Sequence, residues 1–352
     1  MERLQNQHII SSENRKLPSP NSAHFPEGVS LLIVCYNESE NIDALLKALL
    51  AQSWKSSISE ILIADNGSSD GTYEKLKAKA SDLPIPMTVW QRAENNIGAA
   101  RDELVKRAIS DWVVFVDADC VPPPDWLKDI LEKLQACRKL DKHFAGCGGG
   151  HHLPGRNSMQ KAINGLMRHT PLHAFSSQSY DGEDVGRCVD HLPTTNAVFC
   201  KKAVQNVGGF SKKFSRVGED LDLGLRLNES GFNLYRFAKP SLQNDCAQTP
   251  LGWAKRMFLF GTAQGLVFGR RGGFTWLFLM ASLLISAFGL LVPPIFVAAS
   301  LVLLAVSWLF ASRVARRESS PDLWGQAFQV TALTAPSYFL GFLNGLIKKL
   351  RA

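Results

Sequence analysis

Three aspartates in this chain stand where they could do chemistry. Residues 112–119 read Trp-Val-Val-Phe-Val-Asp-Ala-Asp, an apolar run that delivers Asp117 and Asp119 one residue apart. In a strand, residues i and i+2 point the same way, so the two carboxylates are expected to converge at the strand's C-terminal end. Two hard oxygen donors there suit Mg²⁺ or Mn²⁺, cations that keep water and take substrate phosphate as further ligands. Asp220 follows Gly218-Glu219 and precedes Leu221, Leu223, Leu225 and Leu227. It is expected in the first turn of a helix, where the helix dipole favours the ionised form that a general base needs. Many solvent-facing strand ends carry an Asp-x-Asp, so the neighbouring elements decide what this one means.

Those elements are strands that alternate with helices. Val29–Val34 is a continuous apolar run, as expected of a strand buried on both faces, and Cys35-Tyr36-Asn37-Glu38 follows it. Ser39-Glu40-Asn41 opens a helix with Leu45, Leu46, Leu49 and Leu50 at helical spacing. A second strand, Glu60–Ala64, ends on Asp65, and a Gly/Ser turn with Asp70 leads into the next helix. A third, around Pro86–Trp90, precedes Asn95-Asn96-Ile97-Gly98-Ala99-Ala100-Arg101, which starts the helix before Asp117's strand. Repeated β-then-α units describe a parallel α/β sheet, and ligands bind such sheets at the C-terminal ends of the strands. Asp65, Asp117 and Asp119 all fall there.

Taken in order, Asn37-Glu38, the Asp65–Thr72 segment, Gly98-Ala-Ala-Arg101, Asp117-Ala-Asp119 and Gly218-Glu219-Asp220 resemble the motif series of family 2 glycosyltransferases with the GT-A fold. The resemblance covers roughly residues 29–240. It implies a mostly parallel sheet flanked by helices and an inverting transfer of a hexosyl-type sugar from a nucleotide-diphosphate donor, with UDP as the preferred base, helped by Mg²⁺ or Mn²⁺. Carried over residue by residue, it implies that Asn37, Glu38 and Asp65 lie around the nucleoside, with Arg101 near the same pocket. Asp117 would face the ribose and diphosphate and share the metal with Asp119, and Asp220 would be the base. A segment at the place of Thr195 and Asn196 often serves the acceptor side in this family. No covalent nucleophile is required.

Composition sets the surroundings. The formal net charge of +7 favours anionic partners, but no basic-aromatic cluster points to nucleic acid. An anionic membrane surface is the better candidate because the C-terminal third is so apolar. The seven cysteines are scattered without a Cys-x-x-Cys pair and read as reduced core thiols, not zinc ligands or disulfides. His151-His152 lacks a spaced third metal ligand. Gln243-Asn244-Asp245 occupies the region where a third ligand would be sought, and it reads equally as a polar loop.

Four regions are expected: a flexible segment 1–28 without a secretory h-region, a GT-A domain 29–250, an interfacial amphipathic helix 251–271, and a membrane region 272–352. Phe274–Val292 and Ile295–Ala311 approach the length of a bilayer-spanning helix, with Pro293-Pro294 as the turn between them. Arg270-Arg271 before the first stretch and Arg313, Arg316 and Arg317 after the second place both ends inside, which predicts a multi-pass protein of the cell membrane with a cytoplasmic catalytic domain. A third segment, Ala327–Ile347, is more polar, and Lys348-Lys349 and Arg351 argue against its spanning fully. In the interfacial helix, Trp253, Met257, Phe260, Gln264 and Val267 form one stripe, Lys255 anchors it, and Arg256 anchors it or touches the donor diphosphate.

Arg156–Gly186 shows no clear strand and is read as an acceptor loop or an irregular connection. The Gln-x-x-Arg-Trp motif of polymer-making synthases is missing near Arg256, and the spans are few. A single sugar addition to a lipid-linked or glycan acceptor is therefore expected, and the order of parts is similar to the succinoglycan-type exopolysaccharide transferases. A polyprenyl-phosphate sugar transferase and an inactive scaffold of a polysaccharide-assembly complex are the alternatives. A sugar-nucleotide pyrophosphorylase is disfavoured, because Cys35-Tyr36-Asn37-Glu38 stands where a Gly-rich phosphate loop would be needed.

Overall fold

The computed structural model describes residues 25, 27–170, 184–243, 249–270 and 293–351. The expected stretch Phe274–Val292, Arg271, Asn244-Asp245 and most of the segment 1–28 lie outside the described residues, as does 171–183 of the expected acceptor loop. The chain forms two compact units. One comprises the described parts of 1–152 and 177–244, the other those of 153–176 and 245–352.

The first unit is built on one eight-stranded sheet. Its elements are β1 (Val29–Cys35), α1 (Ile42–Leu50), β2 (Ile58–Asp65), α2 (Thr72–Ala80), β3 (Met87–Gln91), α3 (Ile97–Arg107), β4 (Trp112–Val116), α4 (Trp126–Leu140) and β5 (Phe144–His152). After α5 (Ser158–His169), which belongs to the second unit, come β6 (Arg187–Val189), β7 (Asn196–Cys200), α6 (Lys201–Asn206), α7 (Glu219–Glu229) and β8 (Asn233–Gln243). The strand order is β3-β2-β1-β4-β7-β5-β8-β6. β3, β2, β1 and β4 pair in parallel, β7 inserts antiparallel between β4 and β5, β8 pairs parallel with β5, and β6 closes the edge antiparallel to β8. This is the expected mostly parallel sheet.

Its central strands are buried on both faces. Leu31, Ile33, Ile61, Ile63, Val114 and Val116 face one apolar layer with α1 and α4, and Leu32, Leu62, Val113 and Phe115 face the other with α3. Every β1 residue but Val34 is buried, which is why the run reads as apolar without alternation.

Local differences from expectation have physical reasons. β4 stops at Val116, so Asp117 and Asp119 are not on a strand. A turn closed by the Cys120 amide donating to the Asp117 carbonyl at 3.2 Å carries them, with Ala118 buried between. Strand alternation therefore does not set their directions. His151 and His152 belong to β5 and pair with Leu242 and Gln243 of β8. The glycines before them admit a neighbouring backbone: a Cβ on Gly149 would sit 1.8 Å from the Pro240 carbonyl oxygen. Residues 158–169, expected to be irregular, form α5, whose Met159, Ala162, Ile163, Leu166 and Met167 are buried at helical spacing.

The second unit is helical: α5, α8 (Pro250–Leu266), α9 (Pro293–Arg317) and α10 (Leu323–Arg351). Pro293 opens α9, a position where its missing N–H costs nothing, and the expected stretch Ile295–Ala311 is helical within it. α10 holds Pro336 inside a continuous helix. It is the only helix among the described residues that is long and apolar enough to cross a membrane, by length and composition. The segment expected to be the weakest candidate is thus the one that meets the criterion.

α8 runs parallel to α10. Trp253 Nε1 donates to Thr334 Oγ1 at 2.9 Å, and Lys349 donates to the Phe268 carbonyl at the other end. Between these contacts Gly261 and Gly265 of α8 meet Tyr338, Phe342 and Gly345, while Gly341 and Gly345 of α10 meet Phe258 and Thr262. Two Gly-x-x-x-Gly pairs bring the backbones together, the small-residue packing common between helices in membranes.

Candidate active site

Most of the sequence-selected residues of the first unit gather at the C-terminal ends of β1, β2 and β4. Asp65, the last residue of β2, is fully buried. The Ser68 amide donates to one of its oxygens at 3.1 Å, Gln91 Nε2 donates to the same oxygen at 3.0 Å, and the Ser68 hydroxyl donates to the other. The Cys35 thiol also points at Asp65, 3.6 Å away. Burial pushes that thiol well above its ordinary range, and the Asp65 charge adds to the effect, so Cys35 is a neutral donor and not a nucleophile.

Asn37 is exposed and adopts a left-handed backbone, φ 57°. That conformation lets its amide donate to Ser68 Oγ at 2.8 Å while its side-chain oxygen accepts from the Ser69 amide at 2.9 Å. The loop after β1 is therefore sewn to the loop after β2. Asp70 continues the seam by accepting from the Ser39 amide at 3.0 Å. The Thr72 hydroxyl and the Ser39 amide hold its carboxyl well below the usual carboxylate range. Glu38 accepts from Asn41 Nδ2 at 2.6 Å. Burial raises its pKa despite that bond, and the charges of Asp117 and Asp70 add to the rise.

Arg101 is 5% exposed. Its guanidinium donates to Asp117 Oδ1 at 3.1 Å and, through its other terminal nitrogen, to Glu219. Asp117 Oδ2 accepts from Thr195 Oγ1 at 2.6 Å. Gly98 explains how α3 comes so close: a Cβ there would stand 2.3 Å from the Ser211 carbonyl oxygen. The amides of Ile97 and Gly98 donate to Ser215 and Phe214, in the loop that leads to α7. Asp220 sits half-buried in the first turn of α7, behind a left-handed Gly218. Its Oδ1 accepts from the Leu221 amide at 2.7 Å. Asp222, by contrast, is buried and pairs with Arg226 at 2.8 Å.

Asn196 lies apart from this arrangement. It is buried, and its amide is committed to the fold: Trp126 Nε1 donates to its oxygen, and its nitrogen donates to the Gly150 and Pro240 carbonyls, each at 2.8 Å. Arg256 lies in the second unit, half-buried on α8, with its guanidinium 5.2 Å from the Phe260 ring. Sequence reasoning missed Gln91 and Ser68 as supports of Asp65, and it missed the Arg101–Glu219 pair. Gln91 follows from parallel pairing of β2 with β3 and Ser68 from the turn three residues after Asp65, whereas nothing local signals a pair 118 residues apart.

The turn after β4 suits a hard divalent cation. Asp117 and Asp119 are both half-buried oxygen donors. Among the described residues no group of three or more His, Cys, Asp or Glu is placed to hold a metal. A cation here fits only with substrate oxygens and water as its remaining ligands, the usual manner of Mg²⁺.

Comparison with known proteins agrees with this geometry. Residues 30–200 match the family model Glycosyl transferase family 2. Glycosyltransferase AglE of Haloferax volcanii is 33% identical over 206 residues, 58% of this chain and 63% of the relative. A dolichyl N-acetyl-alpha-D-glucosaminyl phosphate 3-beta-D-2,3-diacetamido-2,3-dideoxy-beta-D-glucuronosyltransferase of Methanococcus voltae is 26% identical over 255 residues, 71% of this chain and 77% of the relative. Succinoglycan biosynthesis protein ExoA of Rhizobium meliloti is 27% identical over 218 residues, 60% and 61%. The chain thus spans under two thirds of the length of AglE and ExoA. In fold it is similar to the mannosyltransferase PcManGT of Pyrobaculum calidifontis, solved with GDP-Man and Mn²⁺, at TM-score 0.55 and 17% identity over 86% of this chain and 85% of that one. Residues 30–200 thus match a family 2 glycosyltransferase domain, and the mostly parallel sheet flanked by helices is similar in fold to that of PcManGT.

Proposed function

We propose that this chain is a glycosyltransferase that inverts configuration while moving a single sugar from a nucleotide-diphosphate donor, UDP-linked by preference, to a hydroxyl of a lipid-linked or glycan acceptor at a membrane. The observation that carries the reading is the chain of contacts from Thr195 through Asp117 and Arg101 to Glu219, which joins the turn bearing Asp119 to the helix turn bearing Asp220. Asn37, Glu38 and Asp65 border the nucleoside side of the same strand ends. Their seam of mutual hydrogen bonds presents a rigid surface there.

In this reading Asp220 accepts the proton of the acceptor hydroxyl. The acceptor oxygen forms a bond to the anomeric carbon as the bond from that carbon to the diphosphate oxygen breaks. A single displacement from the opposite face inverts the centre. Asp119, with Asp117 beside it, would hold Mg²⁺ or Mn²⁺, and when bound the cation supplies charge stabilisation for the leaving diphosphate. Arg101 orients Asp117. The name of the M. voltae relative describes a sugar on dolichyl phosphate as its acceptor, which supports a hydroxyl of a lipid-linked sugar over a bare lipid phosphate.

The membrane reading rests on the second unit. α10, at 29 residues, extends about 43 Å, against a hydrocarbon core of about 30 Å. On α9, Leu301, Val302, Leu304, Trp308 and Leu309 are exposed, an apolar surface suited to lipid. Salt- and carbonate-washed membranes should retain the protein until detergent is added; its release by salt would end this part of the proposal.

The reaction is tested by incubating detergent-solubilised protein with a panel of nucleotide sugars and a lipid extract, then identifying the product by mass spectrometry. Single-turnover transfer should fall by at least about 10² in Asp220→Asn. Asp222→Asn, which loses the pair with Arg226, should retain far more activity. An inactive Asp222→Asn beside an active Asp220→Asn would move the base two residues along, and no transfer from any donor by the unmodified protein would favour a scaffold.

A further inference from the structure

Glu219 is the carboxylate of the Gly218-Glu219-Asp220 turn that the proposed chemistry leaves without a task. It is 3% exposed. One of its oxygens accepts from Arg101, and the other, Oε2, is buried with no hydrogen-bond partner. A buried carboxylate with an unsatisfied oxygen is costly to the fold, and apolar side chains often hold two helices together as well or better. Docking α3 against α7 does not by itself require it. Gly98 and the amides of Ile97 and Gly98 already bring the start of α3 onto the loop before α7.

What the carboxylate does uniquely is divide the Arg101 fork. A guanidinium presents its donors in a fixed plane, so fixing one terminal nitrogen on Glu219 fixes where the other points. That other nitrogen lies 3.1 Å from Asp117 Oδ1, and Thr195 closes on Asp117 Oδ2 from the far side. Asp117 is thereby held by two partners, one of which takes its direction from α7.

We propose that Glu219 is a positioning residue for the donor site: through Arg101 it holds Asp117 in the orientation that binds the nucleotide-diphosphate sugar. Glu219 itself contacts no donor. The proposal rests on the reading of Asp117 as donor-facing and adds to it a link from the base helix. The turn that carries Asp220 and the turn that carries Asp119 are then set by one buried guanidinium, and a disturbance of either reaches the other.

The test is the affinity of the solubilised full chain for UDP and for GDP with Mn²⁺, measured by calorimetry beside the thermal unfolding midpoint. Glu219→Ala should weaken binding of the preferred nucleotide by about 10- to 100-fold, the scale seen when a partner that orients a ligand-holding group is removed. Glu219→Gln keeps an acceptor oxygen for Arg101 and should bind nearly as the unmodified protein does. Arg101→Lys, a single point charge in place of the fork, should behave like Glu219→Ala. It also replaces that variant in the comparison should Glu219→Ala fail to fold. A purely structural role would lower the unfolding midpoint in these variants and leave the affinity of the folded protein unchanged. Full affinity in Glu219→Ala or in Arg101→Lys, beside a weakened Asp117→Ala, overturns the link alone. Full affinity in Asp117→Ala removes the donor-site reading, and the proposal with it.

Discussion

Arg101 Nη2 lies 3.1 Å from Asp117 Oδ1 and joins α3 to the turn that follows β4. The pair places a fixed positive charge beside the carboxylate that the proposed reading turns toward the donor. Asp119 lies two residues on, in the same turn, and is the metal ligand of the proposed reading. In the proposed reading the two aspartates of one short motif do different work, and they should respond differently to substitution.

Asp119→Asn should abolish the Mn²⁺-dependent part of nucleotide binding and leave the unfolding midpoint close to that of the unmodified protein. Asp117→Asn should weaken nucleotide binding with and without Mn²⁺ and also lower the midpoint, because it leaves the buried Arg101 with one carboxylate partner in place of two. Calorimetry with UDP in Mn²⁺ and in chelator separates the cases. Unchanged Mn²⁺ dependence in Asp119→Asn would remove Asp119 from the metal site.

Glu38 gives a pH prediction with a definite sign. Burial raises its pKa above the ordinary carboxylate value, with the charges of Asp117 and Asp70 adding to it. The folded state then holds this proton more tightly than the unfolded state does. The stabilisation is complete below the unfolded pKa and is lost as pH rises through the raised folded one. Glu38→Gln removes the ionisation and keeps an oxygen to accept from Asn41. Its unfolding midpoint, measured in chelator without nucleotide, should match the unmodified protein near pH 4 and exceed it near pH 7.5, an interval that brackets the usual glutamate pKa of about 4.3. A variant less stable at the higher pH would show that the ionised carboxylate has a partner worth more than its desolvation costs.

The β/α half of the fold was legible because its strands are buried on both faces, so Val29–Val34 and Trp112–Val116 stand out as apolar runs that end on polar turns. The positions of Asp65, Asp117 and Asp220 followed from that. The turn after Val116 was not legible, since a turn and a continuing strand place an Asp-Ala-Asp at the same sequence spacing. α5 was hidden by Gln160, Lys161, Asn164 and Gly165, which dilute its apolar stripe. Gly165 is there because α5 packs on α9: a Cβ would stand 2.7 Å from a Val314 methyl carbon. The Arg101–Glu219 pair depends on α3 and α7 meeting across 118 residues, and only the assembled sheet reveals it.

Asn196 was expected on the acceptor side, and its surroundings predict a stability effect. Replacing it by alanine would strand the Trp126 indole N–H and the carbonyls of Gly150 and Pro240, all three of which it now satisfies. Each stranded buried group costs about 1–3 kcal/mol, so Asn196→Ala should lower the unfolding midpoint by many degrees. Nucleotide affinity of the folded fraction should stay unchanged. A normal midpoint with impaired transfer would instead put this amide in the acceptor site.

The glycine pairs of the second unit set how closely α8 meets α10. A Cβ on Gly341 would stand 1.9 Å from the Phe258 carbonyl oxygen, and one on Gly261 would stand 1.9 Å from that of Tyr338. Both obstacles are backbone, so no side-chain rotation relieves them, and the helices must separate. Gly341→Ala should therefore destabilise the protein in detergent by about 1–3 kcal/mol or more, the usual cost of overpacking. Gly325, in the first turn of α10, has nothing within 4 Å of an added Cβ, and Gly325→Ala should be neutral or gain up to about 1 kcal/mol of helix propensity. Because α8 follows α10 in parallel from Trp253 to Phe268, the proposed membrane reading gives the two one depth profile in a bilayer. Single cysteines at Phe258 of α8 and Leu340 of α10, both exposed within their unit, should then be protected together from a water-soluble maleimide in lipid vesicles and exposed together in Gly341→Ala. Protection of Leu340→Cys alone in the unmodified background would show that α8 rests at the interface and that the close pairing does not persist in lipid.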